Sequence, residues 1–162
     1  MGVSKADDRD ELREAMEIAF GEDEKILCEK CIVGREVEVA VLRDADGSLT
    51  VSRCGEIDPG SEFYDYDTKY KSDTASYFIP ARIPEEMEEN VRCAAEIIFR
   101  LLDCRGLSRV DFFVNDEGFI FNEINTLPGC TPISMYPKMM ENSGIGFGEM
   151  ITRLVKEAIA RG

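Results

Sequence analysis

A chain of 162 residues has room for one good-sized domain or two small ones, with a real core. Its 19 basic against 33 acidic residues leave a net charge of −14, which argues against nucleic acid and anionic membrane as partners, since both need a basic footprint. The absence of histidine removes the commonest general base and the usual zinc ligand, and no apolar run is long enough to span a bilayer.

In chain order, Asp7 or Asp8 caps an expected helix that carries Leu12, Ala15, Met16, Ala19 and Phe20 on one face and ends at Gly21. Lys25 to Cys31 reads as a strand and Ile32-Val33-Gly34 as a break. Arg35 to Leu42 reads as a second strand, in which Arg35, Val37, Val39 and Val41 alternate with Glu36, Glu38, Ala40 and Leu42. Asp44-Ala45-Asp46-Gly47 is a hairpin turn, and Leu49 to Cys54 a third strand. From Asp58 to Asp73 no period survives. A polar loop bearing Phe63, Tyr64, Tyr66 and Tyr70 reads as a functional lid; the alternative is a disordered insertion.

Tyr77 to Ala81 reads as a short strand, and Pro84 opens a helix whose first turns hold Glu85, Glu86, Glu88 and Glu89, favourable for the helix dipole. Its core stripe is expected to be Met87, Val91, Ala94, Ala95, Ile98, Leu101 and Leu102. A hairpin follows, then a Gly/Pro/Ser/Thr loop from Thr126 to Tyr136. A final helix from about Phe147 to Ala160 is expected to bury Met150, Ile151, Leu154, Val155 and Ile159. This order predicts an α+β fold with a largely antiparallel sheet packed with helices.

Five of the six cysteines (Cys28, Cys31, Cys54, Cys93, Cys104, Cys130) lie in apolar or regular-looking segments, as buried free thiols do in a reducing cytoplasm. Cys28-Glu29-Lys30-Cys31 has the C-x-x-C spacing. Zinc would need two more ligands, and a redox pair normally opens a helix, whereas Cys28 sits in a strand-like run.

The hairpin Arg109 to Asn125 carries the chemistry. Two runs rich in Val, Ile and Phe flank a polar turn at Asn115-Asp116-Glu117-Gly118. Strand alternation groups Arg109 with Asp111 and Glu123 with Asn125, and a reversal in the turn sets Asp111 roughly opposite Glu123, with Val110, Phe112 and Ile124 on the other face. Two carboxylates that close repel unless a positive group intervenes, and a hard divalent cation such as Mg²⁺ suits oxygen donors. The alternative is an exposed hairpin whose acids face water, which Asn125 and Arg109 make less comfortable. The small-residue loop Thr126 to Ser134 follows directly, where Gly129 N–H and Arg109 are placed to hold an oxygen that becomes negative during reaction. The residues alone thus point to metal-assisted chemistry on a phosphate or acyl group.

The motifs Arg109-Val110-Asp111-Phe112, Asn122-Glu123-Ile124-Asn125-Thr126-Leu127-Pro128-Gly129-Cys130-Thr131 and Ser134-Met135-Tyr136-Pro137 closely resemble the D-alanine–D-alanine ligases of the ATP-grasp superfamily. So do Glu29-Lys30, Gly34-Arg35-Glu36, Gly55-Glu56-Ile57, Asp58-Pro59-Gly60 and Glu62-Phe63-Tyr64-Asp65-Tyr66 with Lys69-Tyr70. The resemblance implies ligation of two D-alanines through an acylphosphate made with ATP, for a peptidoglycan precursor. It implies that Asp111, Glu123 and Asn125 hold two Mg²⁺ ions, with Mn²⁺ as a substitute, and that Arg109 and Gly129 stabilise the oxyanion. Glu29, Lys30, Cys31, Ile32 and Glu36 are implied to hold adenine and ribose, with Phe113, Asn122 and Glu123 also at the nucleotide. The C-x-x-C stretch then takes a structural role beneath the adenine. Ser134, Met135, Gly129 and Lys69 are implied to bind substrate, Ser134 and Met135 at the carboxylate of the second D-alanine, and Lys69 and Tyr70 to belong to the lid over the site and to act in catalysis.

The resemblance covers only the last half of such an enzyme. Residues 1–32 are expected to be a remnant of the central ATP-binding subdomain and 33–162 the C-terminal subdomain. The N-terminal domain and two phosphate-binding lysines are expected to be missing, so the chain is expected to be an incomplete fragment, inactive alone. A homodimer is expected of the full-length enzyme. The competing readings are another ATP-grasp carboxylate–amine ligase and a nucleotide-binding fragment without turnover.

Overall fold

The computed structural model describes residues 2–58 and 76–162, and the chain divides into two compact units, Met1–Val33 and Gly34–Gly162. The expected lid, including Lys69 and Tyr70, lies outside the described residues.

The first unit is helix α1 (Arg9–Phe20) followed by irregular chain. Asp8 is the cap: its side chain accepts from the amides of Asp10 and Glu11, satisfying two N–H groups that have no partner inside the helix. The strand expected over Lys25 to Cys31 does not form. Its Ile-Leu-Cys run suits an extended chain, but a strand also needs a ladder partner, and among the described residues none pairs with it.

The second unit is built on an antiparallel sheet. Its strands are β1 (Arg35–Arg43), β2 (Leu49–Val51), β3 (Gly55–Asp58), β4 (Ser76–Phe78), β5 (Leu107–Asn115) and β6 (Gly118–Asn125). They lie in the order β4-β3-β1-β5-β6, with β2 on β1. The single strand expected over Leu49 to Cys54 is two, because the ladder breaks at Ser52: its amide still donates to the Ala40 carbonyl at 2.9 Å, but its hydroxyl, not its carbonyl, accepts from the Ala40 amide at 3.0 Å and donates to the Arg53 carbonyl. The strand expected to reach Ala81 stops at Phe78, before Pro80, which has no N–H to give a ladder.

Alternation assigns the two faces. On one, Val37, Val39, Val41, Val110, Phe112 and Val114 pack against α2 (Glu85–Leu101) through Val91, Ala95 and Phe99. Each such side chain contributes about 1.5–3 kcal/mol on burial. The expected stripe errs at its end: Leu101 is 80% exposed and Leu102 is also exposed, while Phe99, four residues after Ala95, takes the core position. On the other face, Ala40, Leu42 and Ile57 are covered by α3 (Met135–Asn142) and α4 (Phe147–Arg161).

The helix α3 replaces the end of the expected loop. Met135 and Met139, and Tyr136 and Met140, are spaced four apart and all buried, and Pro137 falls in the first turn, where a missing N–H costs nothing. In α4, Met150 is buried and Leu154 half-buried as expected, but Ile151, Val155 and Ile159 are exposed and Glu157 is buried instead. The sequence stripe is wider than the surface that the sheet offers. All six cysteines are free; only Cys54 and Cys104 are buried, and burial beside Glu88 pushes the Cys54 thiol up to about 12. Among the described residues no helix is long and apolar enough to cross a membrane.

Buried Glu56 joins three elements: its carboxylate accepts from Arg35 Nη1 at 2.7 Å, Arg82 Nη2 at 2.7 Å and the Arg82 amide at 2.8 Å. Burial acts to raise its pKa, and the Arg82 and Arg35 hydrogen bonds outweigh that, so the group is held below its ordinary value of 4.5. The sign follows. Stabilisation from a depressed carboxylate is complete above pH 4.5 and is lost as pH falls through the lower folded-state value. We predict that Glu56→Gln costs about 1–3 kcal/mol at pH 7 and flattens the stability loss below pH 4.5; urea denaturation across pH 3–7 checks both, and parallel pH curves for the two proteins would contradict it.

Candidate functional site

The β5–β6 ladder holds a register shift. Asn115 pairs with Gly118 and Phe112 with Phe121, but Asp111 pairs with Glu123, so Asn122 is an extra residue on β6. Without it, alternation from Phe121 would turn Glu123 and Asn125 toward the core and Ile124 away from it. With it, Val110, Phe112, Ile124 and Phe121 share the core face, and Arg109, Asp111, Glu123 and Asn125 share the other.

A row of side chains crosses the sheet there: Gly55 pairs with Glu38, Glu38 with Asp111 and Asp111 with Glu123. The neighbouring row is Ala40, Arg109 and Asn125. Arg109 Nε donates to Asp111 Oδ1 at 2.8 Å and Nη2 to Oδ2 at 2.7 Å, a bidentate pair, and Nε lies 3.3 Å from Glu38 Oε1. Burial opposes the charge on Arg109, but the Asp111 hydrogen bonds and the fields of Glu38, Asp111 and Glu123 outweigh it, so the guanidinium is held above its ordinary value and stays charged. Three carboxylates and one guanidinium leave this patch at −2, the charge that one divalent cation balances.

The donors fit a hard cation. Asp111 oxygens each accept one bond from Arg109 and keep a second lone pair, as does Asn125 Oδ1, which accepts from the Leu127 amide at 3.0 Å. Glu123 is exposed and has no hydrogen-bond partner among the described residues. Among those residues no group of three His, Cys, Asp or Glu side chains is arranged to hold a metal ion, so a cation here would complete its shell from Asn125, water and substrate oxygens.

Glu36 and Phe113 are cross-strand partners on the same face, one row beyond Glu38 and Asp111. Asn122, in the bulge, is exposed. Glu29, Lys30, Cys31 and Ile32 belong to the first unit, in irregular chain, the first three exposed. Gly129 is exposed, and a Cβ there would lie 2.8 Å from Ser134 Oγ. That hydroxyl accepts from the Thr131 amide at 3.1 Å and lies 2.9 Å from Thr131 Oγ1, which folds the loop onto the start of α3. The Met135 side chain is buried, leaving its backbone amide, one of the first-turn groups without an intrahelical acceptor, as its polar contribution. At the far end of the carboxylate row a Cβ on Gly55 would meet Met135 Cε at 2.6 Å and Met139 Sδ at 2.9 Å, so the glycine lets α3 sit close to Glu38.

Glu38 is the residue that the sequence reading missed as part of the site. Its alternation with Val37 and Val39 places it on the non-core face, which is the signal that finds it once Asp111 is known to be its neighbour.

The profile of the D-ala D-ala ligase C-terminus family matches residues 1–156. The D-alanine–D-alanine ligase of Chlorobium luteolum is 52% identical over 161 residues, covering 98% of this chain and 44% of that protein. That of Acetivibrio thermocellus is 52% identical over 163 residues, covering 99% of this chain and 43% of the relative. Among solved structures, the VanG D-Ala:D-Ser ligase of Enterococcus faecalis superposes with a TM-score of 0.80 at 40% identity, covering 93% of this chain and 43% of that one. The Bacillus anthracis D-alanine–D-alanine ligase complexed with ATP gives 0.76 at 28% identity, covering 95% and 50%. The chain therefore spans rather less than half the length of the curated relatives it matches, and it belongs to the D-alanine–D-alanine ligase C-terminus family.

Proposed function

We propose that the open half of the sheet face is the metal- and phosphate-holding surface of an ATP-dependent D-alanine–D-alanine ligase, and that this chain supplies that surface to the complete enzyme. The observation that carries the reading is the bulge-set row that brings Asp111 opposite Glu123, with Arg109 and Asn125 beside them. In the complete protein, two D-alanines are joined through an acylphosphate, for a peptidoglycan precursor, in the cytoplasm; a homodimer is the proposed assembly.

Asp111, Glu123 and Asn125 are the residues that would hold two Mg²⁺ ions, or Mn²⁺ in their place. Bound there, the ions neutralise phosphate charge during phosphoryl transfer, a reaction in which positioning and electrostatics supply most of the rate. Arg109 is charged and half enclosed, so it faces a developing oxyanion without reorganising, and the Gly129 amide is the second donor proposed. The Ser134 hydroxyl and the Met135 amide, at the positive end of α3, are suited to a substrate carboxylate. Glu36, Phe113 and Asn122, on or beside the same face, are proposed to meet the nucleotide. Glu29, Lys30, Cys31 and Ile32 keep that proposal by resemblance alone, as do Lys69 and Tyr70 at the lid.

Calorimetric titration of MgADP into the chain tests the surface. Asp111→Asn and Glu123→Gln are each expected to weaken binding at least about tenfold, the effect of losing one charged ligand at roughly 1.4 kcal/mol, with circular dichroism unchanged. Affinity retained in both variants would remove the metal assignment.

Deleting one residue tests the register behind it. Asn122→Ala is expected to change stability by no more than about 0.5 kcal/mol, as an exposed polar substitution does. Deletion of Asn122, which turns Glu123 toward the core, is expected to cost about 3 kcal/mol or more. Urea denaturation of the two proteins checks the contrast, and equal midpoints would mean that the strand re-registers without penalty.

A further inference from the structure

We propose that Glu38 is a positioning residue for Arg109: it ties the guanidinium to a second strand and so fixes the direction of the hydrogens that Arg109 offers to substrate. The proposal rests on the reading of this face as the phosphate-holding surface and deepens it.

Glu38 is 3% exposed, on a strand where its same-face successor is Ala40. A carboxylate buried on that row, directly opposite Asp111, is unfavourable on its own account, because like charges across a ladder repel and desolvation adds to the cost. An alanine there would leave Val37 and Val39 packed on the far face. Among the described residues a compensating contact is to Arg109, at 3.3 Å between Oε1 and Nε. Asp111, two residues along the same strand, restrains the guanidinium only along β5. Glu38, from β1, restrains it across the sheet, and two restraints in different directions define the plane of the group.

Donor arithmetic gives that plane a consequence. A guanidinium has five N–H groups. Nε gives its one hydrogen to Asp111 Oδ1, with Glu38 Oε1 beside it at ion-pair distance, and Nη2 gives one hydrogen to Asp111 Oδ2. Among the described residues the two Nη1 hydrogens and the second Nη2 hydrogen have no acceptor. Those three are what a substrate oxygen meets, and rotation about the Nε–Cζ bond would misdirect them.

The test uses the arginine Nε–H signals of the ¹⁵N-labelled chain, without metal or nucleotide. The Arg109 signal is assigned by its disappearance in Arg109→Lys. In the parent, this proton is expected to exchange with water far more slowly than that of the exposed Arg13. In Glu38→Gln, with melting temperature and circular dichroism close to the parent, it is expected to exchange at least about tenfold faster, as the ion pair that restrains the group across the sheet is lost, and its Nη signals to average. A purely packing role would leave exchange unchanged in Glu38→Gln, which would overturn the proposal. Should that variant not fold, Asp111→Asn decides: an Arg109 Nε–H still protected there shows Glu38 holding it, whereas exchange as fast as Arg13 overturns the proposal. Failure of MgADP to bind the parent would count against the ligase surface and leave this signal untouched, so the two readings fail separately.

Discussion

An antiparallel hairpin with a strict two-residue period cannot place Phe121, Ile124, Glu123 and Asn125 where this protein has them. Phe121 and Ile124 are three residues apart and share the face of Phe112 and Val110, while Glu123 and Asn125 face away. The extra residue at Asn122 resolves the parity, and the outward facing of Glu123 and Asn125 depends on it. The same shift leaves Val110, Phe112 and Val114 in unbroken alternation on β5, so the core is continuous beneath a ladder that is irregular on one strand only.

Arg109 offsets the charge of that face. Like charges directly opposite each other on a ladder repel, and the row holds three carboxylates. One guanidinium reaching both Glu38 and Asp111 offsets most of this, and it does so from the strand already anchored by Val110 and Phe112. The residual −2 is an electrostatic preference for a divalent partner rather than a cost borne by the fold.

Much of this was legible in the sequence, for identifiable reasons. The hairpin, its turn at Asn115 to Gly118 and the rough opposition of Asp111 and Glu123 follow from short β-rich runs around a polar turn. The cap at Asp8 and the proline opening of α2 are local signals. The bulge was not legible, because one extra residue leaves no mark in composition. Helix α3 was hidden by its flanking loop residues and its proline, although its Met and Tyr pairs four apart carried the period. The exposed Ile151, Val155 and Ile159 show the limit of an apolar stripe: it states what a helix can bury, and the partner surface decides what it does bury. The Lys25 to Cys31 run has strand composition without a partner, and partners are non-local.

The division of one sheet face into two halves is the step that joins packing to chemistry. Ala40, Leu42 and Ile57 are small or apolar and lie under α3 and α4; Glu36 and Glu38 continue β1 beyond Ala40, and Arg109 and Asp111 lie beside them on β5. The border is held tightly. Tyr136 donates its hydroxyl hydrogen to the Val41 carbonyl at 2.9 Å, and burial holds that phenol protonated by raising its pKa. Gly55 lets the Met135 and Met139 side chains pack where a Cβ would make them shift. The start of α3, with its unpaired first-turn amides, is thereby fixed close to the carboxylate row by core packing rather than by polar contacts. An anion-favouring helix end and a cation-favouring row sit side by side because methionine packing sets one side of the border and strand alternation sets the other.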